Sequence, residues 1–326
     1  MVQYYFIGEK IMYNIVNKRY WLFLVSGILI VLSIITLATP FGRPKLSTEF
    51  SSGTRLRISF PQTITQNELD TELGSLGYPD AVIQTELTSN GGQGDFLIVT
   101  TVLSDTQEKA LIAGLQDKFG GTTDNVKETT IVSAAVAQQT LSIVGFGVLG
   151  AAVFMLLYIA WAFRHMPHPF RYGTTSIIAL LHDVLVSVGV FSIFGAFFHW
   201  EIDLMFVTGV LTVIGFSINN TIIIFDRIRE NVRIGAVSNF ELVVNDSLVE
   251  TLGRTLNTSL VVLFAVIALM LFVGASIQNF AFVVLVGIIA GTFDSICVAP
   301  NLLIVWEKNE WGRFIGKKPK TTKATA

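Results

Sequence analysis

The sequence predicts a polytopic α-helical membrane protein with six transmembrane helices and one inserted α+β domain. Composition is the first reason: of 326 residues, 52% are hydrophobic and only 14% charged, where a soluble domain carries roughly a quarter charged. The second is that the apolar residues gather into about six stretches near the ~20 residues that a helix needs to cross a bilayer core. A formal charge of −2 leaves no basic field for nucleic acid. Cys297 is the single cysteine, and His165, His168, His182 and His199 make no HExxH pair, so neither a disulfide nor a metal is expected. The GxxxxGKS/T and GxSxG signatures are missing, as are the paired aspartates of an intramembrane protease, so no enzyme, catalytic residue or cofactor is predicted. Whatever work the chain does is powered from elsewhere.

The spans are expected at Tyr20–Ala38, Gln139–Phe163, Ser176–Phe198, Leu204–Phe225, Thr258–Val273 and Phe280–Trp306. The first is longer than the roughly 7–15 apolar residues of a signal peptide, and Leu37-Ala38-Thr39-Pro40 is a poor cleavage site, so it reads as a retained span. This divides the chain into residues 1–39 (cytoplasmic segment and first span), 40–137 (inserted domain), 138–306 (five further spans) and 307–326 (basic tail). Within the bundle, the charged loop 226–257 spaces Phe240, Leu242, Val243, Leu248 and Leu252 at near-helical intervals among Glu241, Asp246 and Glu250. That pattern predicts an amphipathic element lying along the cytoplasmic membrane surface. With the N-terminus inside, the inner segments hold 15 of the 22 basic residues, from Lys10, Lys18 and Arg19 to Arg313, Lys317, Lys318, Lys320 and Lys323. The inserted domain holds the other seven, but long translocated domains are exempt from the positive-inside count. Both termini are therefore expected in the cytoplasm and the domain outside.

Inside that domain, Thr54–Phe60 alternates apolar Leu56, Ile58 and Phe60 with Arg55, Arg57 and Ser59, which predicts a half-buried strand. Thr65 and Glu68 form a capping box that opens a helix to Leu76. Strands are expected at Ala81–Thr88 and Asp95–Leu103 around the hairpin turn Ser89-Asn90-Gly91-Gly92. Ser104–Phe119 is a second helix closed by Gly120-Gly121, and Val126–Ser133 a last strand. The order βαββαβ is the ferredoxin-like arrangement.

Ionisable residues inside a span cost roughly 2.5–3.5 kcal/mol each and so ask for a reason. Asp183, after His182 in the third span, and Asp294, in the sixth, stand out. Each is either a functional carboxylate or one that merely fixes packing. Thr208, Thr212, Gly215 and Asn219 recur at i, i+4, i+7 and i+11 in the fourth span, with Asn220 beside them, and Gly287 and Gly291 form a GxxxG in the sixth. Such small and polar stripes are most often helix-packing faces. Arg254 at the start of the fifth span either snorkels to headgroups or sits beside the carboxylates, where an approaching positive charge favours the ionised form and releases a proton. Asp226 and Arg227 belong to a charged cap at the inner end of the fourth span.

The string Ser217-Ile218-Asn219-Asn220-Thr221-Ile222-Ile223-Ile224-Phe225-Asp226-Arg227-Ile228-Arg229-Glu230 resembles the most diagnostic motif of the SecF family of protein-export membrane subunits. Further matches are Arg254-Thr255-Leu256-Asn257-Thr258-Ser259, Ala179-Leu180-Leu181-His182-Asp183-Val184 and Gly291-Thr292-Phe293-Asp294-Ser295-Ile296. The resemblance covers nearly the whole chain. It implies an RND-superfamily half that works with SecD, alongside YajC, at the SecYEG channel of the bacterial cytoplasmic membrane. There the proton gradient would pull exported polypeptide outward after SecA has pushed it.

Three positions depart from the family pattern. Its second motif Asn is normally an aspartate, the candidate proton carrier, and here it is Asn220, an amide that cannot exchange a proton. Asp294 stands where the family has a small or hydroxyl residue. Thr48-Glu49-Phe50-Ser51-Ser52-Gly53-Thr54 replaces an Asp-Phe-x-Gly-Gly-Thr pattern. Either the carboxylate has moved from span four to span six, or the carrier has been neutralised by engineering. The expected proton relay is Asp294 or Asp183 with Arg254. Rival readings are a small-molecule exporter half of the same superfamily and a passive assembly scaffold.

Overall fold

The computed structural model describes residues 14–39, 42, 44–85, 95–121, 125–164, 168–198, 200–235, 239–272 and 277–311. The predicted turn Ser89–Gly92, the tip of its preceding strand, Val273, His165, His199, Lys10 and the basic residues from Arg313 onward lie outside the described residues. Along the chain come α1 (Arg19–Ala38), β1 (Lys45–Leu46), β2 (Gly53–Ile58), α2 (Gln66–Ser75), β3 (Val82–Thr85) and β4 (Phe96–Thr100). Then follow α3 (Asp105–Phe119), β5 (Val126–Val132), α4 (Ala134–Ala162), α5 (Pro169–Phe198), β6 (Glu201–Ile202), α6 (Leu204–Ile234), α7 (Phe240–Phe272), α8 (Gln278–Cys297) and α9 (Ala299–Glu307).

Among the described residues, six segments are long and apolar enough to cross a membrane: α1 with the short turn before it, α4, α5, α6, α7, and α8 continued by α9. They share burial unequally, with 67% of the apolar window of the last segment buried within the chain against 11% for α1 and 6% for α4. The α8 helix is therefore the centre of the bundle, packed against α5, α6 and α7. Small residues let it sit there. A Cβ added at Gly287 would overlap the Val213 side chain of α6, so the GxxxG pair does serve close backbone approach.

The expected sixth span is broken in two at Val298. Pro300 in the first turn of α9 cannot donate the backbone bond that would continue α8, and Asn301 Nδ2 donates to the Cys297 carbonyl at 2.6 Å beside the break. A second difference concerns residues 226–257. Instead of a separate surface element, they are the ends of two long helices, α6 running on to Ile234 and α7 beginning at Phe240. Val244 and Leu248 find a core with Phe225 and Ile228, and Arg227 Nε bonds Glu250 Oε2 at 2.7 Å across the two helices. Apolar side chains with a helical core within reach have no cause to lie flat on a surface.

The inserted domain is a four-stranded antiparallel sheet in the order β3-β4-β2-β5. Its core joins Leu56, Ile58, Phe96 and Ile98 of the sheet to Leu69, Leu73, Leu111 and Leu115 of the helices. The Thr65/Glu68 capping box forms, with Thr65 N donating to Glu68 Oε2 at 2.8 Å, and Ser104/Gln107 makes a second one on α3. The domain is also clasped to the bundle. Strand β1 pairs in parallel with β6, Lys45 opposite Glu201 and Leu46 opposite Ile202. Ser47 N donates to the Ile202 carbonyl at 2.9 Å, and Leu204 N to Glu49 Oε2 at 2.8 Å.

Candidate functional site

Three helices bring the site together. His182 and Asp183 come from α5, Ser217 from α6 and Asp294 from α8, and all four are buried. The helical period explains the convergence: Gly209, Val213, Ser217 and Asn220 recur every three to four residues on the buried face of α6, and Gly287, Gly291 and Asp294 do the same on α8. Gly291 keeps the helices close at the site itself, because a Cβ there would lie 3.1 Å from Ser217 Cβ and 3.3 Å from Asp183 Oδ2.

His182 Nδ1 lies 3.3 Å from Asp183 Oδ1 and 3.5 Å from Asp294 Oδ1. The Ser217 hydroxyl donates to Asp183 Oδ2. Donor atoms of His182, Asp183 and Asp294 all fall within 4.8 Å of one another. Among the described residues, neither carboxyl oxygen of Asp294 is hydrogen-bonded, and His182 Nε2 has no hydrogen-bond partner. A buried polar atom without a partner is costly, so this group holds unmet hydrogen-bonding capacity. Such spacing also suits a cation, but one carboxyl oxygen already accepts from Ser217 and Nδ1 is hydrogen-bonded to Asp183 with Asp294 within 3.5 Å, which suits proton exchange better. At these separations in a dry interior, every proton gained or lost changes the field felt by the other two groups.

A second polar layer lies beside the first. Asn220 Nδ2 donates to Ser259 Oγ of α7 at 3.5 Å, and Thr292 Oγ1 of α8 donates to the same oxygen at 2.7 Å. Asn220 is fully buried, and its Oδ1 has no hydrogen-bond partner among the described residues. Thr221 and Ser295 hydroxyls pair at 3.0 Å.

The other sequence candidates fall elsewhere. Arg254 does not join the carboxylates: α7 turns Thr251, Thr255 and Ser259 inward, and one residue is a rotation of about 100°, so Arg254 is exposed. The stripe Thr208, Thr212 and Asn219 is also exposed, so the buried face of α6 is set one position along from the expected one. Thr208 and Thr212 spend their hydroxyls on their own helix backbone. Asp226 pairs with Arg229, and Arg227 with Glu230 and Glu250, as a charged cap. Ser217 and Thr292 were legible only as members of longer motifs, yet each touches a polar partner on another helix.

Six membrane-length helices around a buried cluster of ionisable groups make this a multi-pass helical membrane protein. The chain belongs to the SecD/SecF family of protein export membrane proteins, whose C-terminal region matches residues 115–309. A relative from Thermobaculum terrenum, named protein translocase subunit SecF, is 39% identical over 321 residues, covering 96% of this chain and 100% of its own. The protein of the same name from Anaerolinea thermophila is 35% identical over 313 residues, covering 94% and 99%. Among solved structures, SecDF of Thermus thermophilus, a translocon-associated membrane protein, superposes with a TM-score of 0.79 at 28% identity. That match covers 91% of this chain and 39% of the longer SecDF chain.

Proposed function

We propose that the chain is the SecF-type accessory subunit of the Sec protein translocase, a transport protein rather than an enzyme. It acts with SecD, at SecYEG and alongside YajC, to couple the proton gradient to polypeptide export. The names of the relatives support the translocase role, and the longer SecDF neighbour supports SecD as the partner. In this reading both termini are cytoplasmic and the inserted domain, whose sheet order supports a ferredoxin-like fold, is extracytoplasmic.

The observation that carries the proton step is Asp294, fully buried, with neither carboxyl oxygen hydrogen-bonded among the described residues and Oδ1 3.5 Å from His182 Nδ1 beside Asp183. A proton entering this cluster changes its charge where α5, α6 and α8 meet, and the helices respond by changing how closely they pack. The clasp between β1 and β6 conveys movement of α5 and α6 to the inserted domain. One charge moved across 100 mV is worth about 2.3 kcal/mol, enough to bias a two-state bundle. Arg254, exposed on α7, then serves at the surface that SecD covers, since a guanidinium exposed on a spanning helix calls for a partner.

The test is export into vesicles carrying the chain with its SecD partner, with and without a proton gradient. Asp294→Asn is expected to abolish the gradient-dependent stimulation while leaving ATP-driven export intact. Undiminished stimulation in Asp294→Asn and in Asp183→Asn would eliminate the relay and leave a passive scaffold.

A further inference from the structure

At the end of the bundle away from the inserted domain, the C-terminal end of α4 with the two residues after it and the facing side of α6 border a half-open cavity of about 300 Å³. Its walls are Trp161, Phe163 and Ile222, and its polar groups are Arg164, Arg229 and Asp226. Two features set it apart from a crevice between helix ends. The Arg164 guanidinium is held over the Trp161 ring at 4.6 Å from the centroid, and among the described residues it has no carboxylate partner. Arg229 pairs with Asp226, which leaves a net positive rim above an apolar floor.

We propose that this cavity binds the headgroup of an anionic phospholipid, with the phosphate between Arg164 and Arg229. Guanidinium pairs match phosphate oxygens in geometry and charge, and basic pockets between helices at the cytoplasmic side suit acidic headgroups. The source is a lipid rather than free phosphate because the cavity is continuous with a lipid-facing stripe. Phe154, Leu157, Tyr158 and Trp161 occur at i, i+3, i+4 and i+7 on α4, and all are exposed. Acyl chains lying on that stripe would deliver the phosphate to the two arginines, and a soluble anion would have no use for the apolar wall.

Native mass spectrometry of the full chain in detergent, titrated with phosphatidylglycerol, phosphatidylethanolamine or sn-glycerol-3-phosphate, decides the matter. The expected result is one retained phosphatidylglycerol, lost roughly fivefold more readily for each of Arg164→Gln and Arg229→Gln, and retained more strongly in Asp226→Asn. All three substitutions lie at the bundle surface, and thermal unfolding of each variant checks that it is folded. Equal retention of phosphatidylethanolamine, or retention unchanged by both arginine substitutions, would overturn the proposal. Full competition by sn-glycerol-3-phosphate at matched concentration would overturn it too, because the ligand would then be a soluble phosphate.

Discussion

Replacing Glu201 by Gln removes a titrating group from the clasp that ties the inserted domain to the bundle. Glu201 sits on β6 at 5% exposure, its Oε2 without a hydrogen-bond partner among the described residues. Burial pushes its carboxyl up to about 7, against the pull of Arg55 and Lys45 and with the push of Asp203 and Glu49. Burial likewise raises Asp203, despite its bonds from Phe206 N and Asn279. Opening the clasp returns Glu201 to water and to its ordinary value of 4.5. The closed form thus binds the proton more tightly than the open one. Closure is strongest below about pH 4.5, weakens as pH rises, and has lost about 3 kcal/mol once pH exceeds 7. Between pH 6 and 8 the part still changing is about 1.3 kcal/mol, roughly tenfold in the closing equilibrium. Hydrogen exchange at the Ser47 and Leu204 amides, which donate across the clasp, reads it directly after correction for intrinsic rates. The native chain should lose about tenfold in protection over that window, and Glu201→Gln should lose most of that change, leaving the part that Asp203 contributes. A tenfold change that persists in Glu201→Gln would refute the reasoning.

Gly287→Ala places a methyl against Val213 at the α6–α8 contact, so it should cost about 1–3 kcal/mol of overpacking, seen as a lower unfolding midpoint in detergent. An unchanged midpoint would mean that the helices can part there freely. Leu69→Ala empties a position with 0% exposure in the core of the inserted domain and should cost about 2–5 kcal/mol. Limited proteolysis of the full chain would then cut residues 44–132 faster while sparing the bundle helices.

How far the sequence reaches depends on the range of the interaction concerned. Strong local signals, such as the capping box at Thr65, the Gly120-Gly121 stop after the second helix or the alternation through Leu56 and Ile58, mark elements that form where they are expected. Asp183 and Asp294 were legible as buried carboxylates because a charge in an apolar run is conspicuous whatever surrounds it. Their meeting was not, because it depends on how α5 and α8 pack against α6. Helical phase failed for the same reason: Asn219 and Asn220 are neighbours in sequence, and only packing against α7 and α8 decides which faces inward. Arg254 misled because proximity in a motif is not proximity in a bundle. The clasp left almost no trace, since two strands of two residues each carry no period to detect.

Asn220→Asp separates the two origins left open for the missing carboxylate on α6. Asn220 is one helical turn along α6 from Ser217, which already donates to Asp183. Ser259, its hydrogen-bond partner on α7, accepts from Thr292 of α8. If the carboxylate has moved to Asp294, a further one at position 220 adds a third buried acid in the layer beside the other two. Its charge would have to be neutralised or repelled at a cost of several kcal/mol, and gradient-stimulated export should fall below the native level. If position 220 is instead the neutralised carrier, the new carboxylate gains the Ser259 hydroxyl as a donor and export should rise. The double variant Asn220→Asp with Asp294→Asn completes the comparison. Relocation predicts that activity lost with Asp294→Asn is recovered there, because one carboxylate is then exchanged for another across the α6–α8 contact. Failure to recover would mean that the hydrogen-bonding of His182 and Asp183, and not just the number of acids in the layer, fixes where the proton must sit.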